Sequence, residues 1–193
     1  MGLDILGMFA VSLLRTAGAA PIIAVDPVPE KREKALKSGA DYALDPFAED
    51  FTERVKKLTN GGAKVAIEVT GNGKALEQVL DCMARFGRVA LLGCTRSSDF
   101  TIDYYGKVHG PGISLIGAHT DARPKYESSN GMWTENDDIN ALIKLTELKR
   151  LNLGSLIEEV YSPSEAVQVF SRLAENAQFP ITQFDWRRLE NEQ

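Results

Sequence analysis

Residues 1–26, MGLDILGMFAVSLLRTAGAAPIIAVD, contain the pattern that decides the fold. Gly2 and Gly7 have the spacing of the first and third glycines of a G-x-G-x-x-G turn, and Asp4 stands where the middle glycine would be. Asp26 ends an apolar run about twenty residues beyond the turn, where a carboxylate can accept hydrogen bonds from both hydroxyls of a ribose. The spacing predicts a dinucleotide-binding turn, although no strand precedes it in the sequence.

Strand-like and helix-like segments alternate up to residue 119. Hydrophobic periodicity and turn residues predict helices over residues 5–17, 30–39, 48–60 and 73–87, and strands over residues 21–26, 41–45, 64–71, 88–94 and 113–119. Nearly continuous apolar strands indicate a parallel sheet with helices on both faces. We therefore predict an α/β fold with a doubly wound, mostly parallel, Rossmann-like sheet whose first strand is absent.

The absent strand would be the central one, because the usual strand order of this fold is 3-2-1-4-5-6. A central strand bonds to both of its neighbours and is buried on both faces. Its absence leaves either a gap or a pair of exposed edges. We expect one of these defects in the sheet.

The pattern changes after His119. Residues 122–133 read as a polar loop and residues 134–151 as an amphipathic helix with acids early and bases late, as the helix dipole favours. We assign residues 1–150 to a dinucleotide-binding domain that is incomplete at its N-terminus, and residues 151–193 to a C-terminal extension. The last strand of the extension, FPITQFDW, need not join the main sheet.

Composition narrows the classes of partner. The 193 residues carry a formal net charge of -5 and no run rich in lysine or arginine. Nucleic acids and anionic membranes bind clustered positive charge, so we expect neither as a partner. Cys82 and Cys94 give no disulfide framework and fit a reducing compartment, so we predict a cytoplasmic protein.

Four segments carry a family resemblance: GLDILGMFAVSLLRTAGA, AVDPVPEKREKALKSGAD, IEVTGNGKALEQVLDCMARFGRVALLGC and SLIGAH. In their order and approximate spacing they resemble the nucleotide-binding segments of the medium-chain, zinc-type alcohol and polyol dehydrogenases. The resemblance covers nearly the whole chain. It implies hydride transfer between an alcohol or polyol and NAD.

The resemblance also implies roles for particular residues. Asp26 would hold the adenosine ribose, and Lys31 or Arg32 would lie near the adenosine end. Other residues would line the phosphate turn, the cofactor cleft and the nicotinamide end; these are Gly2, Asp4, Ile5, Leu6, Gly7, Thr70, Gly71, Leu92, Gly93, Cys94, Ala118 and His119.

The zinc ligands and substrate pocket of this family belong to an amino-terminal domain that the sequence lacks. We therefore expect the sequence to begin inside a longer enzyme, the C-terminal extension to pack on or belong to the missing catalytic domain, and this chain to hold no catalytic residue and no metal. Two alternatives stay open. One is a non-catalytic, nucleotide-responsive interaction domain, and the other is a methyltransferase, since S-adenosylmethionine also carries a ribose that a strand-end acid can hold.

Two acidic residues have competing interpretations. As an N-cap, Asp4 would contribute about 1 kcal/mol to the helix that follows it. Beside a bound pyrophosphate it would instead repel, by roughly 4 kcal/mol for two unit charges near 4 Å at an effective dielectric of 20. We favour the cap, and expect weak NAD binding. For Glu68, we favour a structural hydrogen-bond acceptor over a functional base.

Two further expectations concern selectivity and assembly. The Asp26 carboxylate lies where NADP would place its additional phosphate, so like-charge repulsion favours NAD. The strand over residues 113–118 is predicted to lie at the edge of the sheet. Exposed edges pair with other strands, and the resemblance implies a homodimer through this one.

Overall fold

The computed structural model describes residues 1–93, 100–176 and 179–189. The chain forms two compact units that divide between Leu151 and Asn152. The first unit contains helices α1 Ile5–Thr16, α2 Pro29–Lys37, α3 Phe51–Leu58, α4 Gly73–Asp81 and α5 Glu135–Glu147, and strands β1 Ile23–Val25, β2 Tyr42–Leu44, β3 Ala63–Glu68, β4 Met83–Leu91 and β5 Ser114–Gly117. The second contains strands β6 Glu159–Tyr161 and β7 Thr182–Phe184 on either side of helix α6 Ala166–Glu175.

The strands of the first unit form two separate parallel sheets. β1 pairs with β2, and β4 lies between β3 and β5. Placed side by side, they give the order β2, β1, gap, β3, β4, β5, which is the doubly wound order without its central strand. The α/β fold is therefore confirmed, and among the described residues the two parallel sheets are separated by a gap between β1 and β3.

A slot of about 490 Å³ occupies the position of the absent strand. β1 and β3 form its two edges, and apolar side chains of α1, α3 and α4 line it. The lining residues include Ala10 and Val11 of α1 and Phe51 and Val55 of α3. The slot is therefore bounded as a buried strand would be, by two strand edges and by apolar side chains of the helices.

The first two residues close the carboxyl end of this slot. The backbone nitrogen of Met1 donates to the Ile67 carbonyl oxygen at 3.0 Å, and the Met1 carbonyl oxygen accepts from the Val69 N–H at 3.1 Å. The Gly2 N–H donates to the Val25 carbonyl oxygen at 2.8 Å. These bonds join β1 to β3 at one end of the gap.

The boundary between α4 and β4 differs from the sequence prediction. The predicted helix over residues 73–87 ends at Asp81, and β4 already begins at Met83. The register between β3 and β4 shifts between Ala63 and Val65, and Phe86 has a φ of 60°. The bulge interrupts the in-and-out alternation of the strand. For this reason the apolar pattern of residues 82–87 predicted a helix.

Two apolar clusters hold the first unit together. One joins α4 to β4 and to Val108 and Ile113, and Val89 at its centre is fully buried. The other joins β1 and β2 to α3 and to Cys82. Among the described residues, no helix is long and apolar enough to cross a membrane.

The second unit is a small parallel pair with its own packing. β6 and β7 pair in register from Glu159 opposite Thr182 to Tyr161 opposite Phe184. The ring centroids of Phe170, on α6, and Phe184 lie 6.2 Å apart. The predicted last strand is thus paired with β6 and not with the main sheet.

Candidate functional site

The candidate site lies where the strands of the first unit end. Asp26 follows β1, Glu68 ends β3, and Leu92 follows β4. The Ala118 N–H, just after β5, donates to the Leu91 carbonyl oxygen at 3.1 Å, so the end of β5 lies beside the end of β4. In an open parallel sheet this edge, at the point where the strand order reverses, is where ligands bind.

The glycine turn has the close approach that its spacing predicts. A Cβ on Gly7 would lie 1.9 Å from the Gly2 carbonyl oxygen, so only glycine lets the first turn of α1 pack on this segment. Gly2 has a φ of 87°, and a Cβ there would meet Thr70 and Val69 at 2.8 Å. The turn is therefore folded against the loop after β3.

Asp26 is 5% exposed and holds the turn through its carboxylate. One carboxylate oxygen accepts from the Leu3 N–H at 2.8 Å and the other from the Val28 N–H at 2.9 Å. A carboxylate offers about four lone-pair directions, so each oxygen keeps capacity for a further donor such as a ribose hydroxyl. The structure thus gives Asp26 a structural role that sequence analysis did not assign.

Asp4 does not cap α1. It stands at the N-cap position, but its side chain makes no capping hydrogen bond. Its carboxylate instead forms an ion pair with the Lys31 ammonium at the start of α2. The expected cap is therefore wrong: the long lysine side chain reaches the acid, which is 80% exposed and turned away from the helix amides.

Arg32 is engaged by backbone carbonyls. Its guanidinium donates to the carbonyl oxygens of Asp26 and Pro27, at 2.7 and 2.8 Å, and lies 3.4 Å from an Asp45 carboxylate oxygen. These contacts fix the turn between β1 and α2. Of the two basic residues predicted near the adenosine end, Lys31 thus lies beside the phosphate turn and Arg32 braces the strand end.

Glu68 organises the loop after β3. Its carboxylate is 3% exposed and accepts from the Thr70 N–H at 2.7 Å, the Thr70 hydroxyl and the Gly71 N–H at 3.1 Å. Its own carbonyl oxygen accepts from the N–H groups of Leu92 and Gly93, both at 2.8 Å. The prediction of a structural acceptor is confirmed.

Gly93 completes the group of close backbone approaches. A Cβ on Gly93 would lie 2.1 Å from the Gly71 nitrogen, so the loops after β3 and β4 touch through backbone alone. Gly2, Gly7, Thr70, Gly71 and Gly93, all predicted site residues, therefore meet in one place. Val69, which sequence analysis missed, contacts Gly2 and bonds to Met1. Its place directly before the predicted site residue Thr70 was the available signal.

The remaining predicted residues are more dispersed. Ile5 and Leu6 are 42% and 47% exposed on the first turn of α1. The His119 side chain is 69% exposed, and its Nδ1 accepts from the Asp121 N–H at 3.2 Å. Cys94 lies outside the described residues.

The described residues contain no group of three or more His, Cys, Asp or Glu side chains that could hold a metal ion. What they do form is a backbone cradle, made by the close approaches at Gly2, Gly7, Gly71 and Gly93. It lies beside the N-terminus of α1 and next to the Asp26 carboxylate. A helix N-terminus of this kind favours phosphate groups.

These features define an α/β domain with a Rossmann-like fold. The chain belongs to the zinc-binding dehydrogenase family, because the model of that family matches residues 6–130.

Curated relatives agree with this family. An L-threonine 3-dehydrogenase of Thermococcus kodakarensis is 39% identical over 157 residues, which are 81% of this chain and 41% of that protein. A D-guloside 3-dehydrogenase of Escherichia coli K12 is 36% identical over 129 residues, 65% of this chain and 37% of that protein. The chain thus spans well under half the length of these relatives.

Solved structures share the fold. Benzyl alcohol dehydrogenase from Acinetobacter calcoaceticus has a TM-score of 0.78 at 23% identity, covering 95% of this chain and 48% of that one. A short chain alcohol dehydrogenase of Escherichia coli CFT073, complexed with NADH, has a TM-score of 0.77 at 16% identity, covering 96% and 50%. A zinc-binding dehydrogenase of Sinorhizobium meliloti 1021, bound to NADP, has a TM-score of 0.73 at 24% identity, covering 88% and 46%.

We predict that Glu68→Gln lowers the free energy of unfolding by about 1–3 kcal/mol, because the amide nitrogen cannot accept from Thr70 or Gly71 and leaves a buried N–H unpaired. Urea titration at neutral pH measures this. The control Glu77→Gln, at a surface ion pair with Lys107, should change stability by less than about 1 kcal/mol. Wild-type stability of Glu68→Gln would show that the carboxylate does not hold the loop.

Proposed function

We propose that this chain is the NAD-binding portion of a zinc-type oxidoreductase that transfers hydride between an alcohol or polyol and NAD. The observation that carries the proposal is the backbone cradle of Gly2, Gly7, Gly71 and Gly93 beside Asp26. Side chains at these glycines would fill the space that a pyrophosphate needs or push the loops apart.

Each part of the cradle has a role toward the cofactor. The N-terminus of α1 would face the pyrophosphate, and Asp26 would accept hydrogen bonds from the adenosine ribose. Leu92, Gly93, Ala118 and His119 would lie toward the nicotinamide, because they follow the strands farther along the sheet. Cys94 is proposed there on the family resemblance alone.

Asp26 also supports the choice of NAD over NADP. Its buried carboxylate is fixed by two backbone amides, so it cannot easily turn away from a phosphate on the adenosine ribose. Two like charges near 4 Å repel by roughly 4 kcal/mol at an effective dielectric of 20. Lys31 does not offset this repulsion freely, since it already pairs with Asp4.

When bound, NAD supplies a nicotinamide carbon that accepts a hydride from the alcohol carbon while the hydroxyl proton leaves. The zinc that polarises the alcohol oxygen would be held outside this chain, which is assigned no metal ligand and no catalytic residue. We propose an alcohol or polyol as the substrate of the longer enzyme, and no catalysis by this chain alone.

Two other functions were open from the sequence. The family match favours the dehydrogenase over an S-adenosylmethionine-dependent methyltransferase. A non-catalytic, nucleotide-responsive domain would keep the same cradle, and it would differ from the proposal in lacking zinc chemistry in the full-length protein.

Binding of nucleotides to the purified chain tests the proposal. We expect NAD to bind weakly, and at least about tenfold more tightly than NADP because of the Asp26 charge. Calorimetric titration with NAD, NADP and S-adenosylmethionine gives the three affinities. Equal or tighter binding of NADP would contradict the cofactor choice, and tighter binding of S-adenosylmethionine would contradict the reaction class.

Variants of Asp4 and Lys31, which form an ion pair beside the glycine turn, make this experiment more specific. Asp4→Gly removes the carboxylate from the phosphate turn at little cost to α1, since the side chain makes no cap bond, and should raise NAD affinity by about tenfold. Lys31→Met leaves the carboxylate unpaired and should lower NAD affinity. If neither wild type nor Asp4→Gly binds NAD, the proposed site is wrong.

We also propose a homodimer through β5. No described strand pairs with its other edge, and Leu115 and Ile116 are 37% and 45% exposed. The Ala118 N–H and the groups two and four residues before it bond to β4, so the main-chain groups of Leu115 and Gly117 face outward. Such an edge can extend its sheet by pairing with a second copy.

Ile116→Lys should convert the dimer to a monomer, because a charge at the pairing edge is costly to bury. Ile139→Lys, on α5 and equally exposed at 47%, should leave the dimer intact. Sedimentation equilibrium measures both. A wild-type chain that stays monomeric at high concentration, or equal effects of the two variants, would rule out this interface.

We propose a cytoplasmic location and no nucleic acid or membrane partner. A cytoplasmic location fits Cys82, which is a buried free thiol whose pKa is raised by burial, and a net charge of -5 fits the absence of a nucleic acid or membrane partner. The residues after Leu151 are proposed to pack on, or belong to, the catalytic part of the longer enzyme.

A further inference from the structure

Arg32, on α2, contacts the backbone of the acid that would bind the adenosine ribose. Its Nη1 atom donates to the carbonyl oxygens of Asp26 and Pro27, at 2.7 and 2.8 Å. The carbonyl and carboxylate groups of one aspartate are joined through two carbon atoms. Nη1 therefore lies within about 8 Å of the Asp26 carboxylate, which is about one Debye length at physiological ionic strength. Its charge acts on whatever binds at that carboxylate.

An arginine in this place is the residue type that an NADP site uses. Where the adenosine ribose carries an additional phosphate, an arginine near the end of the strand accommodates it. Guanidinium groups suit phosphate because they offer paired N–H donors and a permanent positive charge. Asp26 disfavours that phosphate, whereas the charge of Arg32 taken alone attracts it. The contacts of Arg32 therefore decide how much of its charge is available to a cofactor.

Two backbone carbonyls hold the guanidinium in place. Nη1 carries two hydrogens, and the carbonyl oxygens of Asp26 and Pro27 provide an acceptor for each. If the group turned toward a phosphate, it would lose two charge-assisted hydrogen bonds and release the turn between β1 and α2. The Arg32 side chain is 20% exposed, so most of its surface is also covered by protein.

Asp45 supplies the opposite charge. It follows β2, and its Oδ2 lies 3.4 Å from Nη1 of Arg32. Its Oδ1 accepts from the Phe47 N–H at 2.9 Å, which ties the carboxylate to its own loop. The Pro46 carbonyl oxygen accepts from Nε2 of Gln78 at 2.8 Å, which holds that loop against α4. A positioned negative charge therefore lies beside Arg32 and offsets its field at the ribose position.

We propose that Asp45 is a specificity-determining residue that keeps Arg32 from serving as a ligand for the additional phosphate of NADP. Asp45 offsets the charge of the guanidinium, while the carbonyl oxygens of Asp26 and Pro27 fix its position. Arg32 is thus a positioning residue for the strand-end acid. The inference rests on the proposed cofactor function. Both residues act on cofactor affinity and not on hydride transfer, so the test needs no catalysis by this chain.

Asp45→Asn tests the proposal, because it removes the charge and keeps an oxygen that accepts from Phe47. The additional phosphate of NADP would then meet a guanidinium whose charge is no longer offset. We expect NADP affinity to rise about fivefold and NAD affinity to change less than about twofold. NMR chemical-shift titration with each cofactor measures both dissociation constants. Their ratio is the readout, since a general loosening of the fold weakens both cofactors alike.

Asp50→Asn is the matched control. Asp50 loses the same charge, and its carboxylate lies 4.0 Å from Arg54 in an exposed ion pair at the start of α3. Its side chain makes no capping hydrogen bond, so the change should cost α3 little. We expect the ratio of the two dissociation constants to stay at its wild-type value.

Removing the guanidinium shows whether Asp45 acts through it. In an Arg32→Met background, Asp45→Asn should leave the ratio of the two dissociation constants unchanged, because no arginine charge remains to be released. If Arg32→Met does not fold, the comparison of Asp45→Asn with Asp50→Asn still decides.

Three results would overturn the proposal while cofactor binding stands: an unchanged ratio in Asp45→Asn, an equal shift in Asp50→Asn, or a shift by Asp45→Asn that persists without Arg32. Absence of NAD binding in the wild type and in every variant is a different result. It would contradict the proposed cofactor function, and this inference with it.

Discussion

The structure of the first unit depends on the short backbone segment from Met1 to Leu3. Its N–H and C=O groups bond to Val25 and the Asp26 carboxylate on one side and to Ile67 and Val69 on the other. No β1–β3 strand pairing is present among the described residues, so this segment is the hydrogen-bonded link between the two half-sheets. It also forms the start of the glycine turn. The same few bonds therefore align the sheet and shape the candidate cofactor site.

Two buried carboxylates make this arrangement possible. Asp26 and Glu68 end the strands on either side of the gap, and each accepts backbone N–H groups from a loop that would otherwise be unpaired. Charge-assisted bonds of this kind are among the stronger ones in proteins, so two side chains can order two loops. Asp26 serves both stability and the proposed function, because it holds the turn with the same oxygens that it would offer to a ribose. The Asp4 and Lys31 pair is the contrast: it is exposed at the acid and contributes charge near the site without ordering it.

The sequence predicted the fold well because alternating apolar segments and the glycine spacing are local signals. It also predicted a defect in the sheet, either a gap or a pair of exposed edges, and the role of Glu68. It failed where the outcome depends on distant groups. Asp4 was expected to cap α1, but its carboxylate pairs with a lysine on another helix. The helix expected to reach Gly87 ends at Asp81, because residues 83–87 belong to a bulged strand that pairs with β3. The slot-facing groups could be assigned only once the pairing partners of β1 and β3 were known.

Amide hydrogen exchange of the unliganded chain tests the central claim most directly, namely that, in the part of the chain that the structure describes, the backbone hydrogen bonds between the two half-sheets lie at their carboxyl ends. The account predicts slow exchange for the Leu3, Val69 and Thr70 amides, and an alternation along the inner strands in which Ala24 and Ala66 exchange slowly while Val25 and Ile67 exchange fast. Uniformly slow exchange along β1 and β3 would mean that the gap is closed. Fast exchange at Leu3 and Val69, whose amides bond to the two sides of the link, would mean that the link between the half-sheets does not form, and either result would contradict the account.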